Sequence, residues 1–546
     1  MGTEIRTDAS SNGPRDPDPH DPGPGGPGPG GEEIRGALGS ARPDDATRRG
    51  LLARLRTLVA VVGPGLIVMV GDNDAGAFGT YTQAGQDYGT RLLWTLLLLV
   101  PVLFVNQEMV LRLGAVTGVG HARLIRARFG RFWAAVSVAT LTALNALTMI
   151  TEFVGISMGL QHLGVPRLPG VLVAAAVIAG AASTGSFRRF ERLCLVLVAG
   201  SLLLVPLVVL AHPPLAQLGH DFTVPGLPGT SDASQVLLLV VAIVGTTVAP
   251  WQLYFQQSYL VDKRITTRFL RYEKVDLWLG IAVAVLGAAA MMAFTAAAFA
   301  AAPEAGEFTD ATGVARGLGA HVGPVAGVLF ALALVDASVI GAAAVSLSTA
   351  YALGDLLGGQ HSLHRGFRDA KGFHATLAAL LVVSAVVVVV PGSPLGLITE
   401  GVQTLAGVLL PAASAFLLLL CNDREVLGPW VNGRLYNALA TAVLVGLVVL
   451  SAVLTASVVR PDIGAGAILD VLETGAGLAV LAGVLPLALQ RPATVDGRRE
   501  WRAPPLEQLP PPRNGPVRRA GLLALGGYLV VVVSVLLIHL VQLASA

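Results

Sequence analysis

From residue 57 onward the chain is a succession of apolar stretches, each long enough to cross a bilayer and each set off from the next by a polar connection. A spanning helix needs about 20 predominantly apolar residues. Thirteen stretches meet that test: 57–80, 91–113, 131–160, 170–186, 192–211, 234–260, 275–301, 324–352, 372–391, 400–421, 436–458, 464–489 and 519–543. Backbone groups in hydrocarbon must be satisfied within the spanning element, so runs of this length predict helices. The composition agrees, with 53% of the 546 residues hydrophobic and only 13% charged, against about 25% charged in an average soluble domain. So few ionisable groups could not cover a soluble protein of this size, which excludes an ordinary cytosolic enzyme. A formal net charge of +2 offers no basic surface for nucleic acid. Cys194 and Cys421 are solitary within apolar runs and read as small packing hydrophobes.

The first fifty residues differ. Asp16 to Gly31 is almost entirely Pro, Gly, Asp and His, too polar to offset the entropy of ordering, so 1–50 is expected to be a disordered tail. Cations alternate along the connections that follow. One set carries Arg123, Arg126 and Arg128, then Arg188, Arg189 and Arg192, then Lys263, Arg264, Arg268 and Arg271, and later Arg365, Arg368 and Lys371. The intervening connections are poor in cations, and the one with Glu304, Glu307 and Asp310 is acidic. The positive-inside rule then places the N-terminus in the cytoplasm of a multi-pass protein of the cell (inner) membrane. The segment 464–489 is the weakest span because it holds Asp470 and Glu473, yet the basic 491–519 connection falls on the cytoplasmic side only if it crosses.

Two spans are interrupted by chemistry that does not belong in lipid. The first carries Gly71-Asp72-Asn73-Asp74-Ala75-Gly76, where the glycines permit unwinding and freed carbonyls become ligands if they line a cavity. The alternative is a short helix ending there, with the acids in the external headgroups and Tyr81 to Thr90 a polar loop. The sixth span carries Gly245-Thr246-Thr247-Val248-Ala249-Pro250-Trp251-Gln252, and Pro250 predicts a kink or break. Breaks five helices apart, at matching points of two halves, point to the midplane site of a transporter. Oxygen donors at both, and two acids at one, make a cation the expected substrate.

These residues carry a resemblance. Gly63-Pro64-Gly65, the first break, Leu92-Leu93-Trp94 and Arg112-Leu113-Gly114-Ala115-Val116-Thr117-Gly118 resemble the NRAMP divalent-metal transporters, particularly their NRAMP-related magnesium transporter branch. Gln403, Pro411, Asn422-Asp423-Arg424-Glu425-Val426-Leu427-Gly428 and Val431-Asn432-Gly433-Arg434-Leu435-Tyr436-Asn437 extend the likeness, which covers roughly 57–440. It implies an all-α polytopic fold, a LeuT-type inverted repeat of five plus five helices with discontinuous helices 1 and 6. Its parts would be a first repeat at 51–212, a second at 234–421, and extra C-terminal spans with a basic cytoplasmic loop at 422–546. The family's Asp-Pro-Gly-Asn falls on Asp74-Ala75-Gly76-Ala77, so Asp74 matches a metal-binding carboxylate while the family's Asn ligand is missing. Met-Pro-His becomes Ala249-Pro250-Trp251, an upstream Ala becomes Thr246, and a second His becomes Gln256. Glu152 matches a family acid, and the proton-pathway Asp one turn earlier is Met149.

The departures carry chemical meaning. A thioether suits transition metals, and with Ala249 in its place the donors in reach are oxygens: Asp72, Asn73, Asp74, Thr246, Gln252 and Gln403. Such a set suits Mg2+, Ca2+ or Mn2+, with Trp251 filling part of the space a hydrated ion would use. Neither Trp251 nor Gln256 nor Met149 titrates, which predicts Mg2+ uptake (Mn2+ also accepted) without obligatory proton coupling. Glu152 and Asp336 are an alternative proton path or structural acids. The competing readings are a proton-coupled Mn2+/Fe2+ transporter and an organic-solute transporter of the same helical plan. An enzyme is not expected, since no His-Glu-x-x-His run occurs. Neither a cofactor nor an obligate protein partner is indicated. The partners are the divalent cation and the lipid bilayer. His121, His361, His364 and His374 are expected to be solvated loop residues.

Overall fold

The computed structural model describes residues 33–47, 50–228, 233–391, 395–460 and 463–489, with isolated parts of 497–530. The chain is built from helices. It runs through α1 (Leu51–Val61), α2 (Pro64–Val70), α3 (Ala75–Tyr88), α4 (Trp94–Thr117), α5 (His121–Phe129), α6 (Arg131–His162) and α7 (Arg167–Ser183). It continues with α8 (Phe187–Gly200), α9 (Leu204–Ala211), α10 (Leu215–Thr223), α11 (Ala233–Thr247), α12 (Pro250–Asp262) and α13 (Leu270–Phe299). The remainder is α14 (Ala311–His321), α15 (Pro324–Leu357), α16 (Lys371–Val389), α17 (Leu395–Cys421), α18 (Arg424–Leu427), α19 (Arg434–Val459) and α20 (Ala465–Leu489). Among the described residues nine helices are long and apolar enough to cross a membrane, or eleven if each of two sharply bent pairs counts as one.

The predicted spans appear as helices with shifted ends. The stretch 57–80 is cut twice. Gly63 (φ +153°) separates α1 from α2, which bend by 54°, and only glycine suits that backbone; a Cβ there would also lie 2.4 Å from Glu191 Oε1. Pro64, with no N–H to lose, starts α2. The second cut, at residues 71–74, is the predicted break. Beyond it Tyr81 belongs to α3 and is buried, so the alternative of an external polar loop falls away. Segment 464–489 forms one uninterrupted helix, α20, packed on α19. Of 519–543, Gly521–Val530 is helical and 531–543 lie outside the described residues.

The core elements around the breaks are α2, α3, α4, α11, α12 and α13, while α6 packs along α15. Close approach of α2 and α13 depends on small residues: a Cβ on Gly65 would sit 2.8 Å from the Leu277 backbone, and one on Gly280 2.6 Å from Gly65 O. Cys194 and Cys421 are free and buried, as packing residues should be.

Two expectations are corrected. The tail is not unstructured throughout: 33–47 carries a two-residue hairpin, β1 (Ile34–Arg35) with β2 (Ser40–Ala41), and Ile34 and Ala41 are buried. It is held because Ala37 N donates to Glu191 Oε2 at 2.5 Å and Thr57 Oγ1 donates to Asp45 O at 3.3 Å. The histidines are not all solvated. His121 and His374 are buried, with His121 Nδ1 2.8 Å from Gln257 Oε1 and its ring edge-on to Tyr254. His361 lies 3.0 Å from Asp355. Burial pulls the His361 imidazole down, but the hydrogen bond and charge of Asp355 more than offset it and leave its pKa raised.

Candidate metal site at the two helix breaks

The first break is shaped by its own acids. Asp74 takes an extended backbone and caps α3, its Oδ1 accepting from Ala77 N at 3.0 Å. A carboxylate at a helix N-terminus satisfies an orphan donor and complements the helix dipole, which is why α3 starts there. Asp72 and Asn73 lie in the turn before it and are buried. The second break has a different cause: Ala249 precedes a proline and is extended, and Pro250 occupies the first helical position of α12. The carbonyl ends of α2 and α11 therefore terminate at the breaks, a polarity that favours a cation.

The two breaks meet. Gln252, fully buried in the first turn of α12, donates from Nε2 to Asp72 Oδ1. The Trp251 ring approaches Gly71, where a Cβ would lie 3.6 Å from it. Ser348 Oγ of α15 donates to Trp251 O at 2.9 Å and fixes the backbone just past the break. Glu152 of α6 flanks Asp74, its Oε2 accepting from Ala75 N at 3.2 Å. Room for Glu152 comes from α15, since a Cβ on Gly341 would lie 2.8 Å from its carboxyl carbon. Among the described residues neither Asp72 nor Asp74 is paired with a Lys or Arg.

Not every predicted residue converges. Asn73 turns to α13, donating from Nδ2 to Ala284 O at 3.0 Å, so part of its amide is spent on packing rather than on the opposite break. Thr246 is buried one residue from Thr247, and Thr247 is the one that reaches across, 2.7 Å from Tyr81 OH. Ala249 is buried at the break. Gln403 lies in α17, and its side chain falls outside the described residues. Asp336 is not beside Glu152: Ser338 and Gly341 face α6, whereas Asp336, two residues from Ser338 and so on the other side of the helix, sits against Gly200 of α8. Gln256 is fully buried, and both its amide oxygen and nitrogen lack partners among the described residues. With Gln252, Tyr259 and Lys263 it forms one buried polar stripe of α12, at spacings of four, three and four residues.

Sequence reading misses Gln107, whose Nε2 donates to Gln252 Oε1 at 2.9 Å, although the run Asn106-Gln107-Glu108 interrupts its apolar span and is the available signal. It also misses the buried cluster where α2, α8, α12 and α13 meet. There Lys263 Nζ lies 2.7 Å from Glu191 Oε1 and donates to Val61 O and Val62 O at 2.7 and 2.8 Å. Asp276 accepts from Gly63 N and Gly65 N at 3.2 and 2.7 Å, and among the described residues both carboxylate oxygens of Glu273 lack hydrogen-bond partners. The run Gly155-Ile156-Ser157-Met158-Gly159 has the spacing of a nucleophile elbow but lies inside α6, with Ser157 Oγ accepting from Gln161 Nε2 at 2.6 Å. Among the described residues no three His, Cys, Asp or Glu side chains are placed to hold a metal ion, so a cation here would draw on amide and carbonyl oxygens as well as carboxylates.

A family model described as natural resistance-associated macrophage protein-like (Nramp) matches residues 65–457, most of the chain and both breaks. The chain belongs to the Nramp family. It is 31% identical over 432 residues to the divalent metal cation transporter MntH of Deinococcus radiodurans, covering 74% of this chain and 92% of that one. It is 32% identical over 429 residues to MntH of Ralstonia nicotianae, covering 75% and 91%. Among solved structures it resembles a manganese transporter of Eremococcus coleocola, with TM-score 0.64 and 18% identity over 83% of this chain and 97% of that one. A Na+-coupled sialic acid symporter follows at TM-score 0.50 and 11% identity, over 79% and 90%. These likenesses show the fold: this Nramp chain has the LeuT-type helical plan with discontinuous first and sixth helices.

Proposed function

We propose that the protein transports a divalent metal cation by alternating access, taking it between Asp72, Asp74 and the α11–α12 break. The observation that carries the reading is the pair of carboxylates in an unwound helix, Asp72 buried and Asp74 half-buried, with no Lys or Arg paired to either among the described residues. Isolated buried charge is costly, and a doubly charged ion satisfies both acids at once. Kinship with proteins described as divalent metal cation transporters supports it. Relatives of that description also argue against an enzymatic role. The alternation of basic connections supports a cytoplasmic N-terminus in a protein of the cell membrane.

The finer proposal is Mg2+ as the preferred ion, with Mn2+ accepted and no obligatory proton movement. At the α12 break the site offers Ala249, an indole and an amide in place of soft ligands, and Mg2+ keeps several of its waters in oxygen-lined sites. An inward-negative potential contributes about 2.3 kcal/mol per charge per 100 mV, so uptake needs no co-ion. Asp74 beside Glu152 favours a second reading, proton-coupled Mn2+ transport, because adjoining carboxyls can pass a proton. Proteoliposome uptake of Mg2+ and Mn2+, with and without a pH gradient, separates the two: the first reading expects Mg2+ entry with no acidification, and metal-driven acidification would replace it with the second. Restoring the thioether tests the ligand argument. Ala249→Met is expected to raise the Mn2+ over Mg2+ preference by roughly tenfold or more, the scale on which changes around a metal act; an unchanged ratio in competition uptake would remove Ala249 from the selectivity determinants.

A further inference from the structure

We infer that Gln107 and Gln252 form a two-state amide relay, in which Gln107 sets whether Gln252 presents its nitrogen or its oxygen to the transported cation. The inference rests on the site reading above and adds a positioning residue in α4.

The two amides are in line. Gln107 Nε2 donates to Gln252 Oε1 at 2.9 Å, and Gln252 Nε2 in turn donates to Asp72 Oδ1. Gln107, Gln252 and Asp72 are all buried. In this arrangement the group facing the carboxylate is an N–H, which suits Asp72 when no cation is bound and repels a cation when one arrives. A carboxamide turned by 180° exchanges donor and acceptor in nearly the same volume. If Gln252 turns, its Oε1 faces the ion beside Asp72, and its Nε2 must find an acceptor where Gln107 now donates. Gln107 carries that acceptor, for its Oε1 is buried and has no hydrogen-bond partner among the described residues. A matching turn of Gln107 places this oxygen against Gln252 Nε2 and keeps the link between the amides. The donor chain that serves the closed carboxylate thus becomes, reversed, an acceptor chain that adds an oxygen ligand. Leucine at 107 would fill the space but could hold Gln252 in neither orientation.

The test is a double-substitution cycle on the full-length protein in proteoliposomes, reading Mn2+ and Mg2+ uptake as KM and maximal rate. Gln107→Leu is expected to raise KM about tenfold, the effect of one lost hydrogen bond that positions a ligand, while the maximal rate changes less than twofold. Gln252→Leu should raise KM at least as much. Gln107→Leu combined with Gln252→Leu should be no worse than Gln252→Leu alone, because Gln107 acts only through the second amide. If Gln107→Leu fails to assemble, Gln107→Asn, one methylene too short to reach Gln252, should give the same rise in KM. An unchanged KM in the Gln107 variants, or full additivity in the double variant, would overturn the relay. Absence of divalent-cation uptake by the unaltered protein would instead overturn the site reading itself, so the two failures are distinct.

Discussion

Replacing Asp74 with Ala is expected to reduce divalent-cation uptake by about a hundredfold or more, beyond the effect of disturbing a metal's outer partners. Asp74 has two functions, and the substitution removes both. One oxygen caps α3 by accepting from Ala77 N, and the carboxylate also contributes charge to the break. Loss of the cap alone costs about 0.5–2 kcal/mol of stability, so Ala confounds folding with binding. Asp74→Asn separates them: asparagine caps as well as aspartate, and only the charge is lost. Uptake by Asp74→Asn should therefore remain near background while its thermal stability stays close to that of the unaltered protein. Tracer uptake beside a detergent melting curve checks both, and transport at the normal rate by the Asn variant would remove Asp74 from the cation's path.

The second large effect concerns Lys263, the cation of a cluster with three acids. Its ammonium pairs with Glu191 and donates to the last two carbonyls before the α1–α2 bend. Lys263→Met leaves Glu191 buried and uncompensated, with Glu273 and Asp276 nearby, and should destabilise the protein by roughly 3–5 kcal/mol. Glu273→Gln should act in the opposite direction. Among the described residues its carboxylate oxygens have no hydrogen-bond partners, and an amide there carries no charge to set against Asp276 and Glu191. Melting temperatures of the two variants should therefore move to opposite sides of the parent's. A tolerated Lys263→Met would show that the cluster does not hold the helices together.

Features written in local chemistry were legible before any coordinates. Gly and acid in one apolar run, and Pro250 in another, announce backbone interruption because each acts within a turn of itself. The likeness around these runs supplied the family, and the hydrogen bond that joins the two breaks is made by Asp72. What stayed hidden depends on which residues fold back. Lys263 sits among loop arginines in sequence and reads as a topology marker, yet it turns inward beneath Gly63. Residues 33–47 follow a Pro/Gly-rich tract and read as its continuation, although a buried Ile34 and one backbone N–H to Glu191 dock them. Gln107 is polar without periodicity, and its meaning appears only opposite Gln252. Asp336 and Glu152 look alike in sequence, but helix phase sends Asp336 to α8 and leaves Glu152 beside Asp74.

The brevity of α2 has a mechanical corollary. Seven residues make a rod about 10 Å long, clamped at one end by Asp276 and Lys263 and carrying Asp72 just past the other. Tilting such a rod by roughly ten degrees sweeps its tip by about 2 Å, whereas Mg2+–oxygen and Ca2+–oxygen distances differ by only about 0.3–0.5 Å. For a cation held at Asp72, a rotation of a few degrees at the clamp would shift that ligand by as much as this difference, so the clamp far from the carboxylate would set how firmly it is held in place.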